Sequence, residues 1–320
     1  MSDTPEVSIV IPTYNRSKLL CNAVNSVLGQ ESQSPFEIVV VDNNSNDDTK
    51  LVVQSLIQNH PGKVRYVVET KQGNAHARNL GVTTAKGAII AFIDDDVSVE
   101  NNWLGVLKGI LDSRKDVSFV GGRVLPEWSG SPPAWLTPDH WSPLALLDYG
   151  PEELTIAGTN PRGLLTANIA FRRSVFDEIG TFSPQLQRVK DHIGSMEDTE
   201  FLLRVCRSGK KGTYIPDMTV RAPVDVERLT KAYHRRWHTG HGHFYAVMND
   251  SDWERSKFHL MGVPSHLYQQ TARNAVIWFS RVLTGNRDAA FVNECRLRFF
   301  RGFFLQRKRN PPMRINSLSL

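Results

Sequence analysis

Short runs rich in β-branched residues at 7–11, 38–41, 64–68, 88–93 and 117–120, separated by stretches with helical spacing, predict an α/β fold built on a doubly wound, mainly parallel sheet. Each run is almost continuously apolar rather than alternating, which suits a strand covered on both faces. In the first helical stretch, 16–28, Leu20, Ala23, Val24, Val27 and Leu28 recur at steps of three and four residues; 51–57, 74–84 and 102–111 are further helices. Between 125 and 150 the periodicity is broken by Pro126, Pro132, Pro133, Pro138 and Pro143, interleaved with Trp128, Trp135 and Trp141, and an irregular loop is expected there. Strand signals return at 165–171, 212–215 and 218–221, with a helix over 197–207. Beyond residue 226 the pattern is helical, so a domain over 1–225 with a break near 124 and a helical extension over 226–320 are predicted.

Composition excludes several classes. With 320 residues, 40% hydrophobic and 22% charged, the chain is an ordinary globular protein. No apolar run approaches the roughly 18 residues of a membrane-spanning helix. The first six residues, with Asp3 and Glu6, lack the basic-then-apolar order of a signal peptide. Three widely separated cysteines, Cys21, Cys206 and Cys295, form neither a disulfide framework nor a zinc ribbon, and a reducing cytoplasm is expected. The net charge of +5 is uneven: residues 281–320 carry nine Arg or Lys and two acids, or +7. Such a tail suggests an anionic surface as partner.

Ligands of open parallel sheets bind beyond the carboxyl ends of the strands. Three such ends are polar together: Pro12-Thr13-Tyr14-Asn15-Arg16, Asp42-Asn43-Asn44-Ser45 and Asp94-Asp95-Asp96. Strand polarity alone puts them on one rim. Adjacent carboxylates about 6 Å apart at an effective dielectric near 20 repel by roughly 3 kcal/mol per pair, so a cation is expected beside the triplet. Hard oxygen donors suit Mg²⁺ or Mn²⁺ shared with a phosphate. In an extended segment Asp94 and Asp96 face one side, toward a metal diphosphate, and Asp95 the other, toward a group such as a ribose. The chain has no GxGxxG after its first strand and no Walker lysine loop, so a nucleotide would be held by side chains and metal. Asp42 is positioned to accept from a base, and Asn74 and Arg78, one helical turn apart, offer a diphosphate contact.

These residues resemble the family 2 glycosyltransferases with the GT-A fold. The matching stretches are VSIVIPTYNR at 7–16, VVVD at 39–42, GNAHARNLG at 73–81, FIDDD at 92–96, TANIAFRR at 166–173 and Glu197-Asp198, in the family's order over roughly residues 5–245. The resemblance implies a GT-A, Rossmann-like sheet with a nucleotide half over about 1–124 and an acceptor half over about 125–225. It implies an inverting, non-processive transferase that moves a sugar from a nucleotide-diphosphate donor, taken as a UDP-sugar, to an acceptor hydroxyl in surface-polysaccharide or glycolipid synthesis. Pro12, Thr13, Tyr14, Asn15, Asp42, Asn74, Arg78 and Asp94 are then nucleotide-binding candidates, Asp95 a ribose contact, Asp96 the main metal ligand for Mn²⁺ or Mg²⁺, and Asp198 the catalytic base with Glu197 as its alternative. Asn168 and Trp135 are the acceptor-binding candidates, the acceptor being a saccharide or lipid-linked saccharide. Asp198 opens a helix, whose dipole is expected to favour the ionised form that a base requires.

Two departures stand out. Relatives carry a histidine after the strand at 218–221, where this chain has Ala222-Pro223, and processive relatives carry QxxRW, where this chain has Tyr233 in place of the glutamine before Arg236-Trp237. The alternatives are a nucleotidyltransferase, which needs a glycine-rich loop where Pro12 to Arg16 has no glycine, and a non-catalytic adaptor for membrane or nucleic acid. Phe299, Phe300, Phe303, Phe304 and Leu305 interleave with Arg296, Arg298, Arg301 and Arg307. That pattern favours docking on an anionic membrane over nucleic acid, and so a cytoplasmic protein at the inner face of a membrane; the rival is that these phenylalanines pack onto the catalytic body and leave only scattered arginines exposed. His234 and His238, one turn apart, lack nearby ligands that would close a zinc site.

Overall fold

The computed structural model describes residues 4–31, 34–187 and 193–310. They fall into two compact units, one of Met1–Ser131, Leu144–Lys190 and Glu197–Asp225, the other of Pro132–Pro143, Asp191–Met196 and Val226–Leu320. Arg314 of the basic tail lies outside the described residues.

The first unit begins with β1 (Val7–Thr13), α1 (Ser17–Leu28), β2 (Phe36–Asp42), α2 (Thr49–Asn59), β3 (Val64–Val68), α3 (Asn74–Thr84) and β4 (Ile89–Ile93), the predicted alternation with boundaries shifted by a residue or two. The short β5 (Ser98–Val99), α4 (Trp103–Ser113), β6 (Phe119–Trp128), β7 (Leu154–Ile156), β8 (Asn168–Arg172), α5 (Arg173–Ile179), α6 (Glu197–Arg207) and β9 (Gly212–Val224) complete it. The sheet order is β3-β2-β1-β4-β8-β6-β9-β5, with β7 on β9. β3, β2, β1 and β4 are parallel, as are β6 and β9. β8 runs antiparallel between β4 and β6, which the continuous apolar run of 168–171 did not reveal. The two strand signals at 212–215 and 218–221 belong to one strand: Gly122 pairs with Ile215 and Arg123 with Thr219, so residues 216–218 bulge out of the ladder. Pro216, which has no N–H to donate, sits in that bulge.

β1 and β2 are buried along their whole lengths, as expected for strands covered on both faces. The core beside β4 and β8 is aromatic. Phe176 stacks on Phe201 at 5.2 Å, Phe182 lies 4.6 Å from Phe201, and Phe92 meets Phe182 edge-on at 5.4 Å. These contacts anchor the apolar face of α6 (Phe201, Leu202, Val205), and with it the helix start that carries Glu197 and Asp198.

The second unit contains α7 (Lys231–Met248), a hairpin of β10 (His259–Leu260) and β11 (Val263–Pro264), α8 (Ser265–Leu283) and α9 (Arg287–Arg309). α7 and α9 run parallel, with Lys231 paired to Asp288, Arg235 to Glu294 and Asn249 to Arg307, and touch through their backbones: a Cβ on Gly242 would lie 2.0 Å from the Phe299 carbonyl oxygen, and one on Gly302 1.9 Å from that of Thr239. Ala246, Val263, Leu267, Phe300 and Phe303 form the unit's core, with Phe299 and Phe304 packed against it. Rings expected to meet a membrane therefore face inward, because the arginine-phenylalanine pattern is the amphipathic face of a helix whose partners are the preceding α8 and, from farther up the chain, α7. Several arginines are paired within the unit too: Arg307 is buried on Glu254 and Asn249, and Arg298 reaches Glu294 at 3.3 Å. Among the described residues no helix is long and apolar enough to cross a membrane.

Two alanine substitutions separate backbone contact from helix propensity. Gly302→Ala is expected to lower stability by about 1–3 kcal/mol, since the two helix backbones must part to admit a methyl group. Gly109→Ala, on an exposed turn of α4 with nothing within 4 Å of the added Cβ, is expected to raise it by about 0.5–1 kcal/mol. Chemical denaturation of the two variants checks both signs.

Candidate active site

The sheet order reverses at β1, since β2 and β3 lie to one side and β4 to the other. A crevice opens at such a switch point, beyond the strands' carboxyl ends. Thr13 ends β1 and Asp94 follows β4, and the Thr13 hydroxyl donates to Asp95 Oδ2 at 2.7 Å across the strand pair. Arg16 Nη1 donates to Asp95 Oδ1 at 3.0 Å and to Asp96 Oδ2 at 2.9 Å. Asp95 is buried, whereas Asp94 and Asp96 are partly exposed, the alternation an extended segment requires. The inward residue, expected to contact a ribose, is held by Thr13 and Arg16. Both Asp95 oxygens are bonded to the protein, and the side that faces away from Asp94 and Asp96 is interior. Burial raises its pKa, with Arg16 and Thr13 opposing.

The loops after β1 and β2 brace each other. Asn15 and Asn44 both adopt left-handed backbone, at φ 53° and 69°, a conformation asparagine tolerates better than most residues. Asn15 N–H donates to Ser45 Oγ at 2.9 Å, and its Oδ1 accepts from Asn46 N–H at 2.8 Å. Tyr14 stands exposed on this rim, while Pro12 is buried within β1 opposite Val41. Asp42 Oδ1 accepts from Ser45 N–H at 2.8 Å and its Oδ2 from the Tyr66 hydroxyl at 2.5 Å. Burial and the Asp42 carboxylate both push the Tyr66 phenol up, so the phenol stays a donor. Asn43, to which sequence reasoning gave no role, ties this end to the start of α3: its Oδ1 accepts from Gly73 N–H at 2.7 Å and its Nδ2 donates to Lys71 O at 2.7 Å.

Arg78 is the interior counter-ion of the site. It is 3% exposed, donates through Nη1 to Glu197 Oε1 at 2.9 Å and through Nη2 to Asp94 Oδ1 at 3.2 Å. With its amide oxygen turned toward Arg78, Asn74 accepts from Nη2 at 3.0 Å. The helical spacing brings Asn74 and Arg78 together as expected, but the guanidinium is held by two carboxylates instead of lying free for a diphosphate. Glu197 is 2% exposed, with Oε2 lacking a partner among the described residues. Asp198, half-buried at the start of α6, accepts from Thr199 N–H at 2.7 Å through Oδ1, leaving Oδ2 without a hydrogen bond among the described residues. Its pKa moves opposite to the helix-dipole expectation: burial and the Glu197 carboxylate push it up to about 6, and Arg78 only partly opposes them.

Asn168, one of the acceptor candidates, does not join this group. Asn168 is 1% exposed; its Oδ1 accepts from Trp103 Nε1 at 2.7 Å and its Nδ2 donates to the carbonyls of Arg123 and Met218, both at 2.7 Å. It pins α4, β6 and β9 to the start of β8, and a buried amide with those three partners has a structural role. Trp135 belongs to the second unit, where its ring meets His140, His234 and Phe291 edge-on at 5.3, 5.0 and 5.1 Å. His234 is fully buried among these rings, and among the described residues no three His, Cys, Asp or Glu form a metal cluster, so the histidine pair makes no zinc site there.

Removing Arg78 exposes the electrostatics of the site. In Arg78→Gln the Asp198 carboxyl loses the cation that opposes its shift, so its native-state pKa rises further above its unfolded value. The folded state then holds protons that the unfolded state has released, and stability falls as pH rises. The variant is expected to lose about 3–5 kcal/mol at pH 8 and markedly less at pH 5, as urea denaturation at the two pH values will measure.

Residues 8–180 match the family described as Glycosyl transferase family 2. The chain is 28% identical over 219 residues to a protein named glycosyltransferase AglE from Haloferax volcanii, covering 68% of this chain and 66% of the relative. It is 35% identical over 129 residues to the GalNAc(5)-diNAcBac-PP-undecaprenol beta-1,3-glucosyltransferase of Campylobacter jejuni, covering 40% of each. The chain thus spans less than two thirds of these relatives. Among solved structures, the mannosyltransferase PcManGT from Pyrobaculum calidifontis in complex with GDP-Man and Mn2+ superposes with a TM-score of 0.62 at 17% identity, over 96% of this chain and 87% of that one. TarS from S. aureus in complex with UDP gives 0.52 at 18% identity, over 93% and 89%. These likenesses give the fold, a GT-A sheet with a helical C-terminal region. Matched over more than half its length, the chain belongs to glycosyl transferase family 2.

Proposed function

We propose that the protein transfers a sugar from a nucleotide-diphosphate donor, a UDP-sugar in the first instance, to a hydroxyl of a lipid-linked saccharide, with inversion at the anomeric carbon. The observation that carries this reading is Asp198: a half-buried carboxylate with one unbonded oxygen, raised to about 6, and linked electrostatically through Arg78 and Asp94 to the acidic triplet at the switch-point crevice. A shifted carboxylate in such a cleft is the signature of a group kept for chemistry.

Asp198 takes the proton of the acceptor hydroxyl as the oxygen bonds to the anomeric carbon on one face. On the other face the bond to the diphosphate oxygen breaks and its electron pair leaves with the nucleotide. Glu197, whose Oε1 is engaged by Arg78, is a positioning residue in this scheme. Thr13, Asp42 and the exposed Tyr14 frame the nucleoside end. A ribose hydroxyl reaching Asp95 competes with Thr13 and Arg16.

The residues fit a divalent cation. Asp94, Asp95, Asp96, Glu197 and Asp198 gather around the guanidiniums of Arg16 and Arg78, and the donors are hard oxygens. Asp96, the partly exposed member beside Asp94, would hold Mn²⁺ or Mg²⁺, with the remaining ligands coming from the diphosphate, since no three protein groups form a ready cluster among the described residues. Such an ion supplies charge stabilisation to the leaving diphosphate.

The lipid-linked acceptor is supported by relatives named for undecaprenol- and dolichyl-linked substrates. An anionic membrane surface would be met by exposed cations such as Arg301, Lys308 and Arg309, with the buried phenylalanines taking no part.

Asp198→Asn is expected to keep UDP-sugar affinity while kcat falls about 100-fold or more, because the amide keeps the shape but takes no proton. A loss below about tenfold would move the base to Glu197. In the wild type, kcat/KM should fall tenfold per pH unit below about 6, since the base works ionised. Asp96→Ala is expected to abolish the Mn²⁺-dependent part of UDP binding in calorimetry, whereas Asp42→Ala should weaken UDP about tenfold or more with or without metal.

A further inference from the structure

We propose that the second unit docks on an anionic phospholipid surface through the outer side of α8 and the tip of the β10–β11 hairpin, whose exposed apolar side chains enter the headgroup layer while neighbouring cations meet its charge. The inference deepens the lipid-linked reading above, on which it rests for the presence of a membrane. All the residues involved belong to the second unit.

Polarity along the second half of α8 is reversed. Its side toward α9 buries Asn274, whose Oδ1 accepts from Asn293 Nδ2 at 3.0 Å, and sets Arg281 against the Ala289 carbonyl and Asn293 Oδ1, both at 2.8 Å. Val276, Phe279 and Leu283, three and four residues apart on the opposite side, are 70%, 56% and 70% exposed. A helix whose outer side meets only water shows the other order, with polar groups outside and apolar ones within.

The hairpin continues this row past the start of the helix. The Tyr268 hydroxyl donates to the Leu260 carbonyl at 3.0 Å, and Tyr268 shares a side of α8 with Ala272 and Phe279, one and three turns on. Phe258, Leu260 and Met261 are 75%, 61% and 79% exposed. Met261 and Gly262 form the two-residue turn, both in left-handed backbone at φ 51° and 74°. Asparagine or glycine takes such a position at little cost, so methionine there gives up stability and still places a large apolar side chain in water. A broken local rule at an exposed tip, continuous with an apolar helix side, marks a contact surface.

Charge identifies the occupant. Residues 255–287 include Arg255, Lys257, Arg273, Arg281 and Arg287 and no Asp or Glu, and the flanking Asp252 and Asp288 are engaged by Arg255 and Lys231 at 2.9 and 2.8 Å. Lys257 and Arg273 stand exposed beside the apolar groups. A two-fold contact with a second copy would set this acid-free stretch against itself, cation against cation. Anionic phospholipid answers both features, its headgroups taking the cations and its acyl boundary the apolar side chains.

The test uses the full chain, sedimented with vesicles of phosphatidylcholine alone or mixed equally with phosphatidylglycerol. Binding to the mixed vesicles is expected, weakened by salt, and at least about tenfold weaker to phosphatidylcholine alone. Phe258→Ser with Met261→Ser, and separately Phe279→Gln with Leu283→Gln, should each weaken binding to the mixed vesicles at least about tenfold, and Lys257→Gln with Arg273→Gln should do so by about tenfold. Should a variant not fold, the wild type decides: mixed vesicles should slow amide exchange over 257–262 and leave 7–13 unchanged. Unslowed exchange there, or wild-type vesicle affinity in either apolar variant, would overturn the docking face. Equal binding to both kinds of vesicle would overturn its anionic preference. A dimer that Phe279→Gln breaks, with no vesicle binding, would give the face to a second copy. Neither donor nor acceptor enters these measurements, so their failure removes the docking face alone, and the transfer reading stands or falls on Asp198→Asn.

Discussion

The interior guanidinium of Arg78 is the interaction on which the arrangement of the crevice depends. It joins α3, the end of β4 and the start of α6 by reaching Asp94 and Glu197 at once, with Asn74 one turn earlier on its own helix. A buried pair of this kind adds little net stability, because desolvation consumes most of the attraction, but removing one partner strands charge in the interior. Its effect is therefore on geometry. Carboxylates from two places in the chain are held close together, and the balance left over falls on Asp198, which carries a raised pKa where Glu197 and Asp94 carry ion pairs.

The rest of the site follows from where the sheet order reverses. β1 and β4 are hydrogen-bonded neighbours whose following loops diverge, so Thr13, Arg16 and the acidic triplet meet without any long excursion of the chain. Arg16 bridges Asp95 and Asp96 from an exposed, solvent-screened position. Behind Asp95 the Thr13 hydroxyl and burial fix the inner carboxylate. One triplet thus divides into a fixed member and two members open to ligand, and the alternation of an extended chain is the cause.

The second unit solves a different problem. Its helices approach closely only because Gly242 and Gly302 leave their backbones bare, and that contact draws the aromatic side of α9 into the unit's core. Arginines on the same helix are then sorted by geometry. Arg307 is buried on Glu254, Arg298 shares Glu294 with Arg235, and Arg296, Arg301 and Arg309 stand exposed. The positive end of the sequence is a packed helix with a few unsatisfied charges, which concentrates its binding potential at particular residues.

Local signals in the sequence determined the strands and helices of the first unit, because runs such as 7–11 and 38–41 are apolar on both faces and α3 begins and ends where its glycine and spacing place it. They also determined that Thr13, Asp42 and the triplet lie at strand ends, and that Asn74 and Arg78 share a face. Tertiary structure alone decided what each of these groups touches. Nothing near Arg78 in the chain reveals Glu197, 119 residues away, as its partner, and nothing near Asp198 reveals the burial that overrides its helix dipole. The same holds for Asn168, whose amide is consumed by Trp103, Arg123 and Met218, and for the phenylalanines of α9, whose apolar face reads alike whether it meets lipid or another helix. Periodicity records that a surface must be covered, and the covering groups come from distant parts of the chain, so desolvation and pairing, the terms that set charge and chemistry, are fixed only once the fold is complete.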